Sequence, residues 1–465
     1  MQVMKFGAVS VGEAARLRDV VSIVKGAVEE DRGLVVVCTA RPETTDMLIN
    51  AARIAATGSE AQAETARREL WNRHRALAEK LVNDEWEREA LYREWADLLK
   101  QFDRITRAIA TLGEPSPRGI DAVAAIGERF IAHLFAVVLR QGGVAARMTD
   151  AADIVVTDNH HGAARVDPQE SMARIHKRLS YLMQAGIVPV ITGYIGATRE
   201  GVVTTLGRGG GDYTAALIGA SLHAREVTIW TDVDGILTAD PKLVPEARTL
   251  AELSYSEANE IATFGAEVLH PRTLQPLVES GIVLRLRDAL HPARAGTAIM
   301  AAPQPTKSGA RALISAANLC MLKVAAPLNV NWSPAQASRA LTQLYDSGVE
   351  VLSFAQSFSE RSMAITVRSP DAVFARDCLA TAFAAGQHEP NDNPVVQEAG
   401  ALIAVIPSAG GDVEPRVLAA LGKARAHVLA LARAASGTHL SIIVPEAELK
   451  DVVRVVHAEL GLGTR

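Results

Sequence analysis

The sequence predicts an α/β domain built on a mostly parallel sheet, followed by two copies of a small ferredoxin-like α+β unit. Three observations predict it. Short apolar, β-branched runs alternate with helical patterns through roughly the first 300 residues, as in successive βαβ units. A stretch rich in Pro, Gly, Ser and Thr follows at 301–309, with the composition of a linker. Beyond it the chain resembles itself at an offset of 77: Arg339, Leu341, Leu344, Val351, Leu352, Ala355, Ile365 and Val367 fall on Arg416, Leu418, Leu421, Val428, Leu429, Ala432, Ile442 and Val444. The expected division is a first domain at 1–300, a linker at 301–312, and units at 313–390 and 398–465.

In chain order, the strand Gln2–Phe6, a helix over Ala14–Val28 and the strand Gly33–Thr39 form the first βαβ pattern. Residues of about 60–115 read as a helical insert, with dense charge and Trp71, Leu77, Trp86, Leu91, Trp95 and Leu99 at three- and four-residue spacings. Its charges are expected on a solvated face and its tryptophans in the core. Alternation resumes with a helix over Ile126–Gln141 and strands at Ala145–Met148, Val188–Thr192, Val227–Thr231 and Val283–Leu286. The first repeat unit reads strand (Met321–Ala325), helix (Pro334–Asp346), strand (Val349–Ala355), strand (Met363–Val367), helix (Asp371–Phe383). Gln387–Gln397, rich in Pro, Asn and Asp, separates it from the second.

Composition narrows the partners. Among 465 residues, 48 Lys and Arg stand against 53 Asp and Glu, a formal net charge of -5, so no basic surplus exists for nucleic acid or an anionic membrane. Cys38, Cys320 and Cys378 are too dispersed for a metal knuckle or a disulfide framework, which points to a cytoplasmic setting. The start carries no apolar signal core, and the uncharged run Leu179–Thr198 is broken by Gly186, Pro189, Gly193 and Gly196, so no membrane span is expected.

Three segments carry candidate chemistry. Leu206-Gly207-Arg208-Gly209-Gly210-Gly211-Asp212 opens an apolar helical run, and clustered glycines at a helix N-terminus suit a phosphate or carboxylate; a flexible loop capped by Asp212 is the alternative. Lys5-Phe6-Gly7 through Ser10 is a strand entering a small-residue turn, where a Lys reaches a phosphoryl group as a point charge. Thr231-Asp232-Val233-Asp234-Gly235, with Lys242 following, leaves a strand at the end where open α/β sheets bind ligands; an Asx-turn is the alternative.

Together these segments resemble the aspartokinases of the amino-acid kinase family, whose signatures are similar to Gly193-Tyr194-Ile195-Gly196, Thr204 to Gly210, Asp212 to Ala216, Trp230 to Gly235, Thr263-Phe264-Gly265-Ala266 and Val268 to Pro271. The repeat resembles that family's paired ACT regulatory modules. The resemblance implies a three-layer sandwich that transfers phosphate from ATP, with Mg2+ on the nucleotide phosphates, to the side-chain carboxylate of aspartate. It implies small-molecule substrates and a homodimer or larger homo-oligomer formed through the ACT modules.

Residue by residue, the resemblance implies that Lys5 neutralises the transferring phosphoryl group and that Asp212 is its polar partner. Glu128, in Gly127-Glu128-Arg129, would hold the substrate ammonium and Arg208 its α-carboxylate, with Thr39 and Thr45 contacting substrate. Gly7, Ser10, Gly209, Gly210, Thr231, Asp232 and Lys242 would line the nucleotide side. No residue is expected to ligate a metal directly. Gln356, Ser357, Ser359 and Glu360 are similar to the family's effector loop. Departures are Ala8 and Val9 for Gly and Thr, Glu43 for Gly, Gly211 for Ser, and Glu267 for a Lys that approaches the ATP phosphates in many members. If Glu267 turns away from the phosphates, Arg272 is its expected partner. The departures keep open a same-fold kinase acting on another amino acid or carboxylate, and an amino-acid-sensing paralogue with a decayed kinase lobe. A Rossmann dehydrogenase is disfavoured, because no Gly-x-Gly-x-x-Gly follows the first strand.

Overall fold

The computed structural model describes residues 1–31, 33–265, 269–304, 309–325, 334–357, 362–384, 395–408 and 410–463. It divides into two units: Met1–Ile236 with Ala251–Tyr255 and Val268–Pro303, and Leu237–Leu250 with Ser256–Glu267 and Gln304–Arg465.

The first unit is α/β. Its strands are β1 (Gln2–Phe6), β2 (Leu34–Cys38), β3 (Ala146–Thr149), β4 (Val188–Thr192), β5 (Ile195–Ala197), β6 (Val203–Thr205), β7 (Glu226–Thr231), β8 (Glu252–Ser254), β9 (Val283–Asp288) and β10 (Thr297–Met300). The main sheet runs β3-β4-β2-β1-β7-β9-β10-β8, parallel from β3 to β9 and antiparallel at β9–β10, while β5 and β6 form a separate hairpin. Strands buried on both faces read as near-continuous Val, Ile and Leu, as in Leu34–Cys38. Met4, Phe6, Val36 and Cys38 pack into a core with the helices Ala14–Glu30, Pro42–Ala55 and Pro117–Gln141. The helix Gly210–Ser221 packs on β1, β2 and β7, and the helix Pro168–Gln184 on β4. Pro117–Gln141 is long and apolar enough to cross a membrane, yet 83% of its most apolar window is buried in the fold.

The insert forms two helices, Glu60–Leu81 and Glu85–Leu112, the second capped by Asp84, whose carboxylate accepts from Glu87 N–H at 3.0 Å. Its tryptophans divide. Trp95 is fully buried and stacks on Phe130, Trp71 is half-buried, and Trp86 is 72% exposed, because position 86 lies in the first helical turn and away from the apolar stripe.

The second unit holds β11 (Ala310–Ala325), β12 (Ser353–Ser357), β13 (Ser362–Arg368), β14 (Val395–Pro407), β15 (Ala430–Arg433) and β16 (Leu440–Pro445), in one antiparallel sheet ordered β12-β13-β11-β14-β16-β15. The strand–helix–strand–strand–helix order occurs twice. The expected boundaries at 313 and 398 and the linker to 312 do not match the packing. Strand β11 already begins at Ala310, and its first half packs with Ile403, Val413 and Val417, in the core of the second copy. Its second half, Cys320 to Val324, packs with Leu344, Ile365 and Val395, in the core of the first. The register shifts between Ala316 and Leu319, where Asn318 takes a left-handed φ of 57°, so a β-bulge re-aims the strand between cores.

The expected first domain of 1–300 also gives two segments to this unit. Thr238 meets His457 Nε2 at 3.1 Å, Arg248 donates to the Leu462 carbonyl at 2.8 Å, and buried Glu257 pairs with Arg311 at 2.8 Å.

Candidate active site

Strand alternation decides what faces what. In β1, Met4 and Phe6 enter the core described above, so Lys5 points to the opposite face, where the helix Gly210–Ser221 packs. Parallel register sets Lys5 against Val37 and Ile229, and Val37 against Ile191, so Thr39, Gly193 and Thr231, two residues on in each case, share that face at the carboxyl end of the sheet.

Lys5 Nζ lies 2.7 Å from Asp212 Oδ1, with the two side chains 14% and 15% exposed. Glycines make room for this pair. A Cβ on Gly211 would come within 2.3 Å of Thr39 Cγ2, one on Gly193 within 2.6 Å of the same methyl, and one on Gly7 within 3.0 Å of Lys5 Nζ. Gly209 has a φ of 73°, which a side chain rarely adopts, and a Cβ there would press to 2.5 Å from His270 Cβ. The helix therefore starts earlier than the apolar run suggests. Gly209 is its N-cap, no side chain caps it, and Asp212 is its third residue and not its cap. Open N–H groups of the first turn beside an ammonium make an anion cradle.

Glu128 is the second acid. The helix Pro117–Gln141 carries it to the turn at 39–45, where its Oε2 accepts from Ala40 N–H at 2.8 Å with 2% of the residue exposed. Burial pushes its carboxyl up to about 8, opposed by the Ala40 hydrogen bond and the Lys5 charge. Gly127 lets the helix approach, since a Cβ there would lie 3.3 Å from Leu48 and from Thr44. Thr39 and Thr45 are half-buried in this turn, and Glu43, which stands where the family pattern has Gly, forms an exposed ion pair with Arg41 at 3.2 Å. Arg208 is exposed beside His270; burial and the Arg272 and Arg208 charges hold that imidazole below its ordinary range, against the pull of Asp212.

The remaining candidates are more scattered. Ser10 is buried in the short helix Ala8–Val11 with its hydroxyl unbonded, and Val9 is 41% exposed. Thr231 donates to Asp232 at 3.1 Å. Lys242 belongs to the second unit, where its N–H donates to Asp240 Oδ1 at 2.8 Å. Gln356 and Ser357 sit on edge strand β12 opposite Met363 and Ser362. Ser359, Glu360 and Glu267 lie outside the described residues. Arg272, weighed as a partner for Glu267, donates to the Leu206 carbonyl at 3.0 Å and lies over the Tyr213 ring. Among the described residues no cluster of His, Cys, Asp or Glu could hold a metal ion.

Sequence reasoning missed Asp121. Fully buried, it accepts from Thr205 Oγ1 at 2.6 Å, from Gly162 N–H and from His161 Nδ1 at 2.7 Å. The Gly162 carbonyl in turn lies 3.1 Å from where a Cβ on Gly207 would sit. The available signal was spacing: Asp121 and Glu128, seven apart, are two helical turns apart on one face of a helix otherwise rich in buried apolar residues.

The amino acid kinase family model matches residues 1–288. The bifunctional aspartokinase/homoserine dehydrogenase 2, chloroplastic, of Arabidopsis thaliana is 30% identical over 99% of this chain. This chain covers 50% of that protein, about half the length of the bifunctional relatives it matches. The structure is similar to that of E. coli aspartokinase III in complex with aspartate and ADP, at TM-score 0.79 and 28% identity, covering 99% of this chain and 100% of that one. It is also similar to the same enzyme in complex with lysine and aspartate, at TM-score 0.80 and 30% identity, covering 99% of each.

Proposed function

The chain belongs to the amino acid kinase family, and from that premise we propose that it is an aspartate kinase, transferring the γ-phosphoryl group of ATP to the side-chain carboxylate of L-aspartate. The observation that carries this reading is the Lys5–Asp212 pair beside the uncapped, glycine-lined helix N-terminus, with the buried acid Glu128 near enough for the Lys5 charge to act on it. The E. coli enzyme that this chain resembles was crystallised with aspartate and ADP, which supports the substrate and the nucleotide.

Carboxylate phosphorylation demands alignment and charge neutralisation and no covalent help, since the acceptor carboxylate is already ionised. Lys5 neutralises charge that grows on the transferring group. Asp212 orients Lys5, and the N–H group at Gly211 holds a phosphate oxygen, since that of Gly210 already donates to the Gly207 carbonyl at 3.0 Å. Glu128, once ionised, holds the substrate ammonium; Arg208 takes the α-carboxylate through its planar fork; Thr39 and Thr45 bind by hydroxyl or backbone. Gly7, Ser10, Gly209, Thr231 and Asp232 form the nucleotide side. Mg2+ bound to the nucleotide phosphates would supply charge neutralisation there, with no side chain of this chain assigned to hold it. The second unit contributes dimer contacts and, through the segment of Gln356, Ser357, Ser359 and Glu360, an effector loop. One observation favours a different carboxylate substrate: the turn at 39–45 carries Glu43, in an exposed pair with Arg41, where the family pattern has Gly. A coupled ADP-release assay with L-aspartate beside glutamate, N-acetylglutamate and other amino acids tests both readings. ADP release dependent on aspartate is expected, and faster turnover of another acceptor would overturn the assignment.

A further inference from the structure

A cavity of about 420 Å3, within the range of small-molecule sites, opens between the helix Glu60–Leu81 and the turn at 40–44. Arg73, Leu77 and Lys80 line it from the helix at i, i+4 and i+7, with His74 between them, and Arg41 and Glu43 line it from the turn. Lys5, Glu128 and Arg208 do not line it, so it is separate from the candidate active site. The wall contributed by the turn includes Glu43, one of the residues by which this chain departs from the family pattern.

Three features of the lining are unspent. His74 is 6% exposed, its ring packed edge-on against Trp95 and Phe130, with Nδ1 2.8 Å from the Leu70 carbonyl. That contact requires the proton on Nδ1, and burial holds the imidazole near 4, so Nε2 is a lone-pair acceptor at neutral pH with no hydrogen-bond partner among the described residues. Arg41 pairs with Glu43 and Arg73 with Glu69, whereas Lys80 forms no ion pair among the described residues. Leu77, Val11 and Ile131 supply an apolar surface. One uncompensated cation, one buried neutral acceptor and a hydrocarbon wall suit an anion with a neutral donor and an aliphatic tail; an ammonium donor would face the Lys80 and arginine charges.

We propose that this cavity binds a small aliphatic 2-hydroxycarboxylate, with its carboxylate at Lys80, its hydroxyl donating to His74 Nε2 and its tail on Leu77, and that occupancy alters how the turn at 39–45 receives substrate. The binding stands independently of the catalytic reading, and the effect on substrate rests on it.

The probe is racemic 2-hydroxy-4-methylpentanoate, titrated calorimetrically into the full chain. It is expected to bind, with 4-methylpentanoate, which lacks the donor, and leucine, which adds a cation, each weaker by about tenfold, the upper end of what a neutral hydrogen bond contributes. Lys80→Ala, at an exposed position that leaves folding intact, and His74→Phe, which keeps an aromatic ring, are each expected to weaken the hydroxy acid by about tenfold or more. No binding at millimolar concentration, or undiminished binding to Lys80→Ala, overturns the site. Equal binding of 4-methylpentanoate overturns the role of His74. In the kinase assay the saturating acid is expected to shift the KM for aspartate in the parent chain but not in Lys80→Ala, and an unmoved KM overturns the coupling. If aspartate is not turned over at all, the catalytic reading fails while the calorimetry still decides the cavity.

Discussion

Two turns meet around Lys5, and they are tied down by different means. The glycine-rich turn at 206–212 is stitched from both sides: Asp121 fixes Thr205 and Gly162 beneath it, and Arg272 donates to the Leu206 carbonyl. The turn at 39–45 is tied to the neighbouring helix through Ala40 N–H and Glu128, a carboxyl that burial has pushed up to about 8. The first turn is held by several hydrogen bonds at once, the second by one backbone bond, from Thr39 N–H to the Phe6 carbonyl at 3.2 Å, and by a group whose charge changes near neutrality. Under the proposed kinase reading that difference has a use: the phosphate side would stay fixed, and the substrate side would respond to the ammonium it receives.

The hardest test of this division removes the residue that both turns face. Lys5→Ala is expected to lower kcat by about 10³-fold or more, the scale for deleting a preorganised charge at the transferring group. Aspartate binding, measured by calorimetry, should remain largely intact. Near-normal kcat would detach Lys5 from phosphate and erase the distinction between the turns.

The next effect is a pH dependence confined to the substrate side. Below about 8 the free carboxyl of Glu128 is protonated, so an incoming ammonium must displace a proton, and the KM for aspartate should fall by about tenfold per pH unit between 6 and 8, then level off. The KM for ATP should show no such slope, and Glu128→Gln should abolish the slope for aspartate. The same raised carboxyl acts on folding. Between its ordinary value of 4.5 and about 8 the folded chain holds a proton that the unfolded chain has released, so its contribution is complete below 4.5 and is lost as pH rises through 8. The melting temperature of the ligand-free chain should therefore drop across that window more steeply than that of Glu128→Gln. Equal slopes would show that Glu128 titrates in the ordinary range.

A smaller effect separates the substrates at the rim of the glycine turn. Arg208→Lys is expected to raise the KM for aspartate by about tenfold with little change for ATP, because a point charge cannot reproduce a planar fork on a carboxylate. An equal loss for both substrates would move Arg208 to the nucleotide side.

How much of this arrangement could be read from the chain varied with the kind of physics involved. The order of strands and the polar ends of β1, β2 and β7 were legible, since buried parallel strands announce themselves by apolar runs and ligand-facing residues by the polar segment at each strand's carboxyl end. The glycine turn was legible as a turn entering a helix, though the helix start was misplaced because glycine weakens a helical pattern that the close approach of Thr39 and His270 nevertheless enforces. The interlaced cores of the second unit were not legible: a 77-residue repeat reports that two units are alike, not which half of a long strand each one takes. The split at Asn318 emerges only when the register with β14 is known. The network under the glycine turn was hidden for a similar reason, as Asp121 is 40 residues from His161 and 84 from Thr205, and the three meet only in the fold.

That network supplies the last and smallest test, aimed at the claim that the phosphate-side turn is over-determined. Asp121→Asn keeps the size of the side chain but replaces one acceptor oxygen with a donor, which must then face Gly162 N–H, His161 Nδ1 or the Thr205 hydroxyl. The Thr205 hydroxyl can turn to accept from the new amide, so a charged acceptor is exchanged for a neutral one and the first unit should lose about 1 kcal/mol of stability, read by chemical denaturation. If Arg272 alone suffices to hold Leu206, the KM for ATP will rise by no more than about threefold, a loss below about 1 kcal/mol. If Asp121 is the main support, the loss will be an order of magnitude larger and will extend to kcat as well, because a displaced glycine turn misaligns the transferring group. Adding Arg272→Ala to the first variant completes a double-mutant cycle. Losses that add would mean two independent ties, and losses that exceed the sum would mean that each tie covers for the other, which is what a turn held from both sides requires.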